Sequence, residues 1–341
     1  MSVDDLPILG ITMGDAAGVG PEVTVKALMN DEIRAKARAV VIGDASVVRE
    51  AARIVGCTLP VNVVDRIVPE QLDGSAIWVL DLGNRPVDSL TRGKVDGVNG
   101  AAAFEYVDKA VTLALKNEID AIVTAPLNKE AMHLGGYKYP GHTEALAHLC
   151  DIGEDDITML LASPRLRVSH VSTHVSMMEA VRSVTADRVV RVARLTAEAV
   201  APLVDRPPKI ALAGINPHAG ENGLFGPEDD REIRPAAAAL QAEGIDAYGP
   251  IPGDTVFLRA LKGEFDAVVA MYHDQGHIPS KLAGFDDTVN ITLGLPIIRT
   301  SVDHGTAFDI AGTGKAQAVN MEVAIDLAAG MGRARRAGRL S

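Results

Sequence analysis

Three histidines share one context. His174, His218 and His273 each close an apolar run, in VSTH, INPH and MYH. If those runs are strands of one parallel sheet, their C-terminal ends lie along one edge and the imidazoles can meet there. Neutral imidazoles gathered at an edge are candidate ligands for a divalent ion, with positions left for substrate or water. A lone strand-end histidine would be structural. The wide separations exclude a zinc-finger module. Asp254 and Asp274 are candidate acid/base groups, or partners for the second nitrogen of a metal-bound imidazole. For Asp254 the plainer reading is a helix cap.

The cations form a second set. Lys281 and Arg299, with Lys129 and Asn290, can hold an anionic, oxygen-rich ligand, because a guanidinium matches carboxylate or phosphate bidentately. Taken singly, Lys281 and Arg299 read equally as members of surface ion pairs. Residues 271 to 309 carry most of these groups among glycines and prolines. Burying such charges without partners costs several kcal/mol each, on the order given for unpaired ions. The segment is therefore a solvated loop or a site, and its apolar flanks and LGLPII run favour a site.

The elements that must position these groups alternate. Ile8 to Met13 reads as a strand, Gly14 to Gly20 as a turn, and Pro21 as the first residue of a helix. That arrangement suits an anion, but the third glycine of the dinucleotide fingerprint is absent. Further strands are expected at 39–42, 61–64, 76–80, 120–123, 209–215 and 267–270, with a long helix at 98–116. Residues 157–162 and 166–171 read as an antiparallel pair around Ser163-Pro164. Asn128 and Lys129 follow a strand end, where ligands or simple helix capping both fit, and His142 precedes a helix that Thr143 can cap. Strands alternating with helices predict a mostly parallel α/β sheet covered on both faces.

Composition narrows the function classes. The chain has 341 residues and a net charge of −12, which argues against nucleic acid or an anionic membrane as the main partner. Two cysteines, Cys57 and Cys150, at unrelated positions fit a reducing compartment without a disulfide framework. The N-terminus does not read as a signal peptide, and no run is long enough to span a membrane, so a cytoplasmic location is expected.

The segments MGDAAGVGPE, TAPLNKEA, YPGHTE, STH, NPHAGENGLFG, AMYHDQGHIPSK and VNITLGLPIIRTSVDHGTAFDIAG, with their spacing, closely resemble the 4-hydroxythreonine-4-phosphate dehydrogenase family from Ile11 to about Lys315. AGENGLFG and HDQGHIP are most similar to the branch that oxidises D-threonate or D-erythronate 4-phosphate. The vitamin B6 branch more often has Leu-Pro after HDQG. Ala16 stands where a proline is usual and Ser280 where an apolar residue is usual, and neither change removes a chemical group. The resemblance implies an isocitrate/isopropylmalate dehydrogenase-like α/β/α fold with two lobes and a central cleft. The lobes would span 1–140 plus 300–341, and 141–299. It implies a homodimer whose active site is shared, with His174, His218 and His273 as metal ligands drawn from both subunits. His142, Thr143, Lys281, Asn290 and Arg299 would contact a phosphorylated small-molecule substrate. His304, Gly305, Thr306 and Asp309 would lie near NAD, which would account for the missing glycine.

The mechanism so implied is NAD-dependent oxidation of a 4-phosphorylated hydroxy acid followed by decarboxylation. A divalent metal (Zn, Co, Mn, Ni or Mg) would act as Lewis acid, with Asp254, Asp274 and Lys281 as candidate catalytic groups. The substrate would be D-threonate or D-erythronate 4-phosphate, or 4-hydroxy-L-threonine 4-phosphate. Three other readings fit parts of the chain. They are a related cis-dihydrodiol dicarboxylate dehydrogenase with an apolar pocket, a three-histidine metal hydrolase, and a non-catalytic metal- or metabolite-binding protein.

Overall fold

The computed structural model describes residues 6–284 and 286–340. Twelve strands run through them: β1 (Ile8–Thr12), β2 (Arg38–Gly43), β3 (Val61–Val64), β4 (Ile77–Asp81), β5 (Ala121–Thr124), β6 (Thr158–Ala162), β7 (Arg167–His170), β8 (Ile210–Ala213), β9 (Ala247–Ile251), β10 (Ala267–Ala270), β11 (Val289–Leu293) and β12 (Arg299–Val302). No described helix is long and apolar enough to cross a membrane.

The chain packs as two units, one running up to Glu154 and resuming over Leu295–Arg339, the other spanning Asp155–Gly294. In the first unit the strand order is β3-β4-β2-β1-β5-β12. The neighbouring strands β3-β4, β4-β2, β2-β1, β1-β5 and β5-β12 pair in parallel. Leu9, Ile11, Val41 and Ile122 are buried in it. Strands covered on both faces read as unbroken apolar runs, which is why they are legible. The expected lobe boundaries near 140 and 299 both fall inside this unit. Helix His142–Leu149 buries Ala145 against Phe104 and Met132, and β12, which opens on Arg299, pairs with β5.

In the second unit the order is β11-β6-β7-β10-β8-β9. The expected antiparallel pair around Ser163 is present as β6 and β7. β7, β10 and β8 are consecutive and parallel. Their C-terminal ends therefore point the same way, and the segments that leave them carry His174, His273 and His218.

Of the two readings of residues 271–309, a solvated loop or a site, the loop is corrected: the segment holds helix His273–Ala283 and the strands β11 and β12. The helix survives Gly276 and an internal Pro279 because side chains stitch it. Gln275 Oε1 accepts from Met271 N at 2.7 Å, Gln275 Nε2 donates to the Gly214 carbonyl at 2.7 Å, and Ser280 Oγ donates to the Gly276 carbonyl at 2.8 Å.

Candidate active site

The three histidines stand beyond the strands, not at their last residues. β7 ends at His170, four residues before His174; β8 ends at Ala213, five before His218; His273 opens a helix. Local bonds hold these segments together. Val171 N donates to the Ala270 carbonyl at 2.8 Å and Ser172 Oγ to the Met271 carbonyl at 2.9 Å. The Gln275 bond to Gly214 joins the His273 helix to the stretch that leads to His218.

His218 sits on a strained loop. His218, Ala219, Glu221 and Asn222 have φ of 52°, 53°, 42° and 57°, in the left-handed region that costs a non-glycine residue about 1–2 kcal/mol. The loop is pinned by the buried Asp229 carboxylate, which accepts from Ile215 N at 2.8 Å and Asn216 N at 3.1 Å. Strain retained in this way is characteristic of ligand sites.

His174 and His273 have ring centroids 5.6 Å apart and line one pocket with Tyr272 and Asp274. Two imidazoles on one ion, each nitrogen about 2 Å from it, place their centroids roughly 5–6 Å apart, so this pair fits a shared divalent ion. His273 Nδ1 is 2.7 Å from Asp274 Oδ1, which leaves Nε2 as the open donor. His218 opens into an adjoining pocket with Asp254, Asp274 and Gln275. Among the described residues no three His, Cys, Asp or Glu side chains of the single chain converge as a metal site. Asp254 lies within the first turn of helix Gly253–Leu261, whose cap is Pro252, so it is exposed and not the capping group. Lys281 is exposed near the end of the His273 helix and makes no ion pair among the described residues. Asn290, on β11, has a buried Oδ1 without a hydrogen-bond partner.

The first unit gathers Arg299 and Lys129 near His142. Arg299 is 2 % exposed and donates from Nε and Nη2 to Thr124 Oγ1 at 3.1 and 2.7 Å. Burial works against its charge and pulls its pKa down to about 9, with Glu144 opposing the shift; the guanidinium is still charged at neutral pH. His142 has a buried Nε2 without a hydrogen-bond partner. Burial holds this imidazole well below its ordinary pKa, and Arg299 and Lys129 push the same way. A neutral ring beside two cations is a polar donor or acceptor held against positive charge, which suits an anionic ligand. Asn128 is the helix cap that the plainer reading expected, accepting from Ala131 N at 2.8 Å. Thr143 is not a cap: Gly141 takes that position and Thr143 lies in the first turn.

The 304–309 loop is docked on the turn after β1. Val19 N donates to the Thr306 carbonyl at 2.9 Å, and the Glu22 carboxylate accepts from Gly312 N and Gly314 N. Thr306 is buried in this contact, whereas Gly305 and Asp309 stay exposed and His304 half-exposed, with its Nδ1 3.0 Å from the Gly305 carbonyl. Such a loop is a platform held by its own backbone contacts. Gly14 turns the chain beneath it with φ 73°, where a Cβ would strike the Pro126 carbonyl.

The same turn hides a group that sequence reasoning passed over. Asp15 is fully buried, accepts from Ala17 N at 2.9 Å, and leaves Oδ2 without a partner. Burial raises its pKa from 3.8 to about 6; the Ala17 bond opposes this and Asp96 adds to it. A raised folded-state value means stability that is full below about pH 4 and lost as pH rises through about 6. Asp15→Asn is expected to gain about 2–3 kcal/mol over wild type near neutral pH and little at pH 4. Thermal melts of both chains at pH 4 and 7.5 check this; a gap that does not change with pH would refute it.

Sequence reasoning also missed Gln275 and His170. His277 appeared in the motif but received no role. The signal was present, since His273 and His277 are four apart, on one face of any helix.

The class and family follow from comparison. A D-threonate 4-phosphate dehydrogenase from Cupriavidus necator is 51% identical over 312 residues, covering 91% of this chain and 93% of that protein. The crystal structure of a 4-hydroxythreonine-4-phosphate dehydrogenase from Burkholderia phymatum is 48% identical, with a TM-score of 0.85 over 96% of this chain and 98% of that one. A terephthalate 1,2-cis-dihydrodiol dehydrogenase from Burkholderia xenovorans is 32% identical, with a TM-score of 0.71 over 95% and 98%. The chain is an oxidoreductase of the dehydrogenase class acting on a CH–OH group, with the isocitrate/isopropylmalate dehydrogenase-like α/β fold. It belongs to the family of the pyridoxal phosphate biosynthetic protein PdxA, whose profile matches residues 35–328.

Proposed function

We propose that this enzyme oxidises a 4-phosphorylated hydroxy acid with NAD and a divalent metal, the keto acid then losing carbon dioxide. D-Threonate 4-phosphate is the leading substrate, with D-erythronate 4-phosphate and 4-hydroxy-L-threonine 4-phosphate behind it. The observation that carries the reading is the His174–His273 pair at 5.6 Å, with Nδ1 of His273 held by Asp274. The name of the 51% identical relative and the HDQGHIP motif support the choice of substrate.

His174, His218 and His273 hold the ion, which when bound supplies Lewis-acid stabilisation to negative charge on substrate oxygens. The surface of the 304–309 loop would hold NAD, which would supply the hydride acceptor. Asp254 is the better general base, because Asp274 is engaged with His273. Arg299, His142 and Thr143, with Lys281 and Asn290, bind the anionic groups of the substrate, and Lys281 stands by as a proton donor. The orphaned Asn290 Oδ1 can accept from a substrate hydroxyl, and His142 Nε2, when it carries the ring hydrogen, can donate to a phosphate oxygen. NADH formation with the three phosphorylated acids and a cis-dihydrodiol dicarboxylate tests this. Turnover of the dihydrodiol alone would overturn it in favour of the alternative dehydrogenase.

The third imidazole is brought by a second copy, giving a homodimer with a shared site. Met177 and Ala180 border the pocket of His174 and His273, and Ile278 and Leu282 border that of His218. Met178, next to Met177, and Leu282 are 69% and 83% exposed, large apolar side chains left open to solvent. Met178→Glu and Leu282→Glu are expected to shift sedimentation from dimer to monomer and to remove activity with it. A wild-type chain that sediments as a monomer while fully active would refute the shared site.

A further inference from the structure

We propose that the buried His170 and the half-buried His277 form an imidazole pair whose role is to position His273, a proposal that rests on His273 being a metal ligand. His277 lies one helical turn beyond His273 and stacks on it, with centroids 3.6 Å apart and planes 12° apart. Its Nδ1 is 3.1 Å from the His273 carbonyl and 3.1 Å from His170 Nε2. A carbonyl only accepts, so Nδ1 of His277 carries the hydrogen and His170 Nε2 presents a lone pair. His170 is fully buried at the end of β7 and cannot swing away.

The geometry restricts His273 on two sides. Asp274 holds its Nδ1 edge, and the His277 ring covers one face. What remains is one ring orientation with Nε2 outward. Parallel stacked rings cannot both aim an in-plane lone pair at one ion, so His277 is a support and not a fourth ligand.

Gly276 shows that the arrangement is tightly packed. A Cβ at Gly276 would overlap His170 Nε2 and crowd Val168 and Ala270, all on or beside rigid strands. The helix approaches β7 and β10 this closely only because residue 276 lacks a side chain. His170, Gly276 and His277 thus form one unit under the metal ligand.

Groups that orient a metal-bound imidazole typically contribute 10–100-fold to metal affinity. The test is titration of Zn²⁺ against a chromophoric chelator, with the visible absorption of the Co²⁺-loaded protein as a second readout. His277→Leu and His170→Leu are expected to weaken Zn²⁺ binding 10–100-fold and to alter the Co²⁺ spectrum. The double variant should be no worse than the poorer single one, since both act through one strut. His277→Gln, which can still donate to the His273 carbonyl, should recover part of the affinity. If both leucine variants bind Zn²⁺ within twofold of wild type with an unchanged Co²⁺ spectrum, the pair does not position His273. Wild-type protein that binds neither ion would instead overturn the metal reading itself. Should His170→Leu fail to fold, the less buried His277→Leu decides alone.

Discussion

Stripping divalent ions with a chelator is expected to lower NAD reduction by about a thousand-fold or more, and re-adding Zn, Co, Mn, Ni or Mg to restore it. Lewis-acid stabilisation of developing charge is worth several kcal/mol, and about 4 kcal/mol corresponds to that factor. His174→Ala and His218→Ala should each reproduce the loss, and added metal should not rescue them. The loss should fall in kcat as well as in kcat/KM, because the stabilised charge exists in the transition state. The prediction follows from the donor set: paired imidazoles, an open Nε2 on His273, and a strained loop that keeps His218 at the neighbouring pocket. Undiminished turnover after complete chelation would remove the chemical basis of the proposal.

Arg299→Ala is expected to raise KM for the phosphorylated substrate by about 10- to 100-fold, with a smaller effect on kcat. A charge-assisted hydrogen bond is worth about 1.5–3 kcal/mol, which gives this range. Arg299 keeps its charge although burial opposes it, and its fork donates from Nε and Nη2 to Thr124 Oγ1. Arg299→Lys should recover little, because an ammonium lacks the planar fork. An unphosphorylated analogue of the substrate provides the control. If KM rises equally for both forms, Arg299 does not read the phosphate. If only the melting temperature falls, its role is to hold β12 on β5.

The sequence was most informative where a single local constraint governs a residue. Apolar runs of four to six residues marked β1, β2, β5 and β10 because strands covered on both faces tolerate nothing else. The helix within residues 271–309 was not legible for the opposite reason. A high density of ionisable groups, Gly276 and Pro279 are poor local signals for a helix, yet Gln275 ties the helix to Met271 and Gly214, residues outside it. Thr306, expected near NAD, anchors its loop to Val19 through its carbonyl, a contact across most of the chain that spacing cannot reveal.

By itself, the order of residues determined the alternation of strand and helix, the chemical types available, and three imidazoles placed after apolar runs. Those depend on hydrophobic period and side-chain chemistry, which are local. Only the folded chain decided which groups meet and in what electrostatic state. Neighbouring parallel strands β7, β10 and β8 carry His174, His273 and His218 to one edge. Burial makes His142 neutral beside Arg299, raises the Asp15 carboxyl, and lays His277 flat against His273. Desolvation and approach distance are properties of packing, and packing is set by residues a hundred or more positions apart.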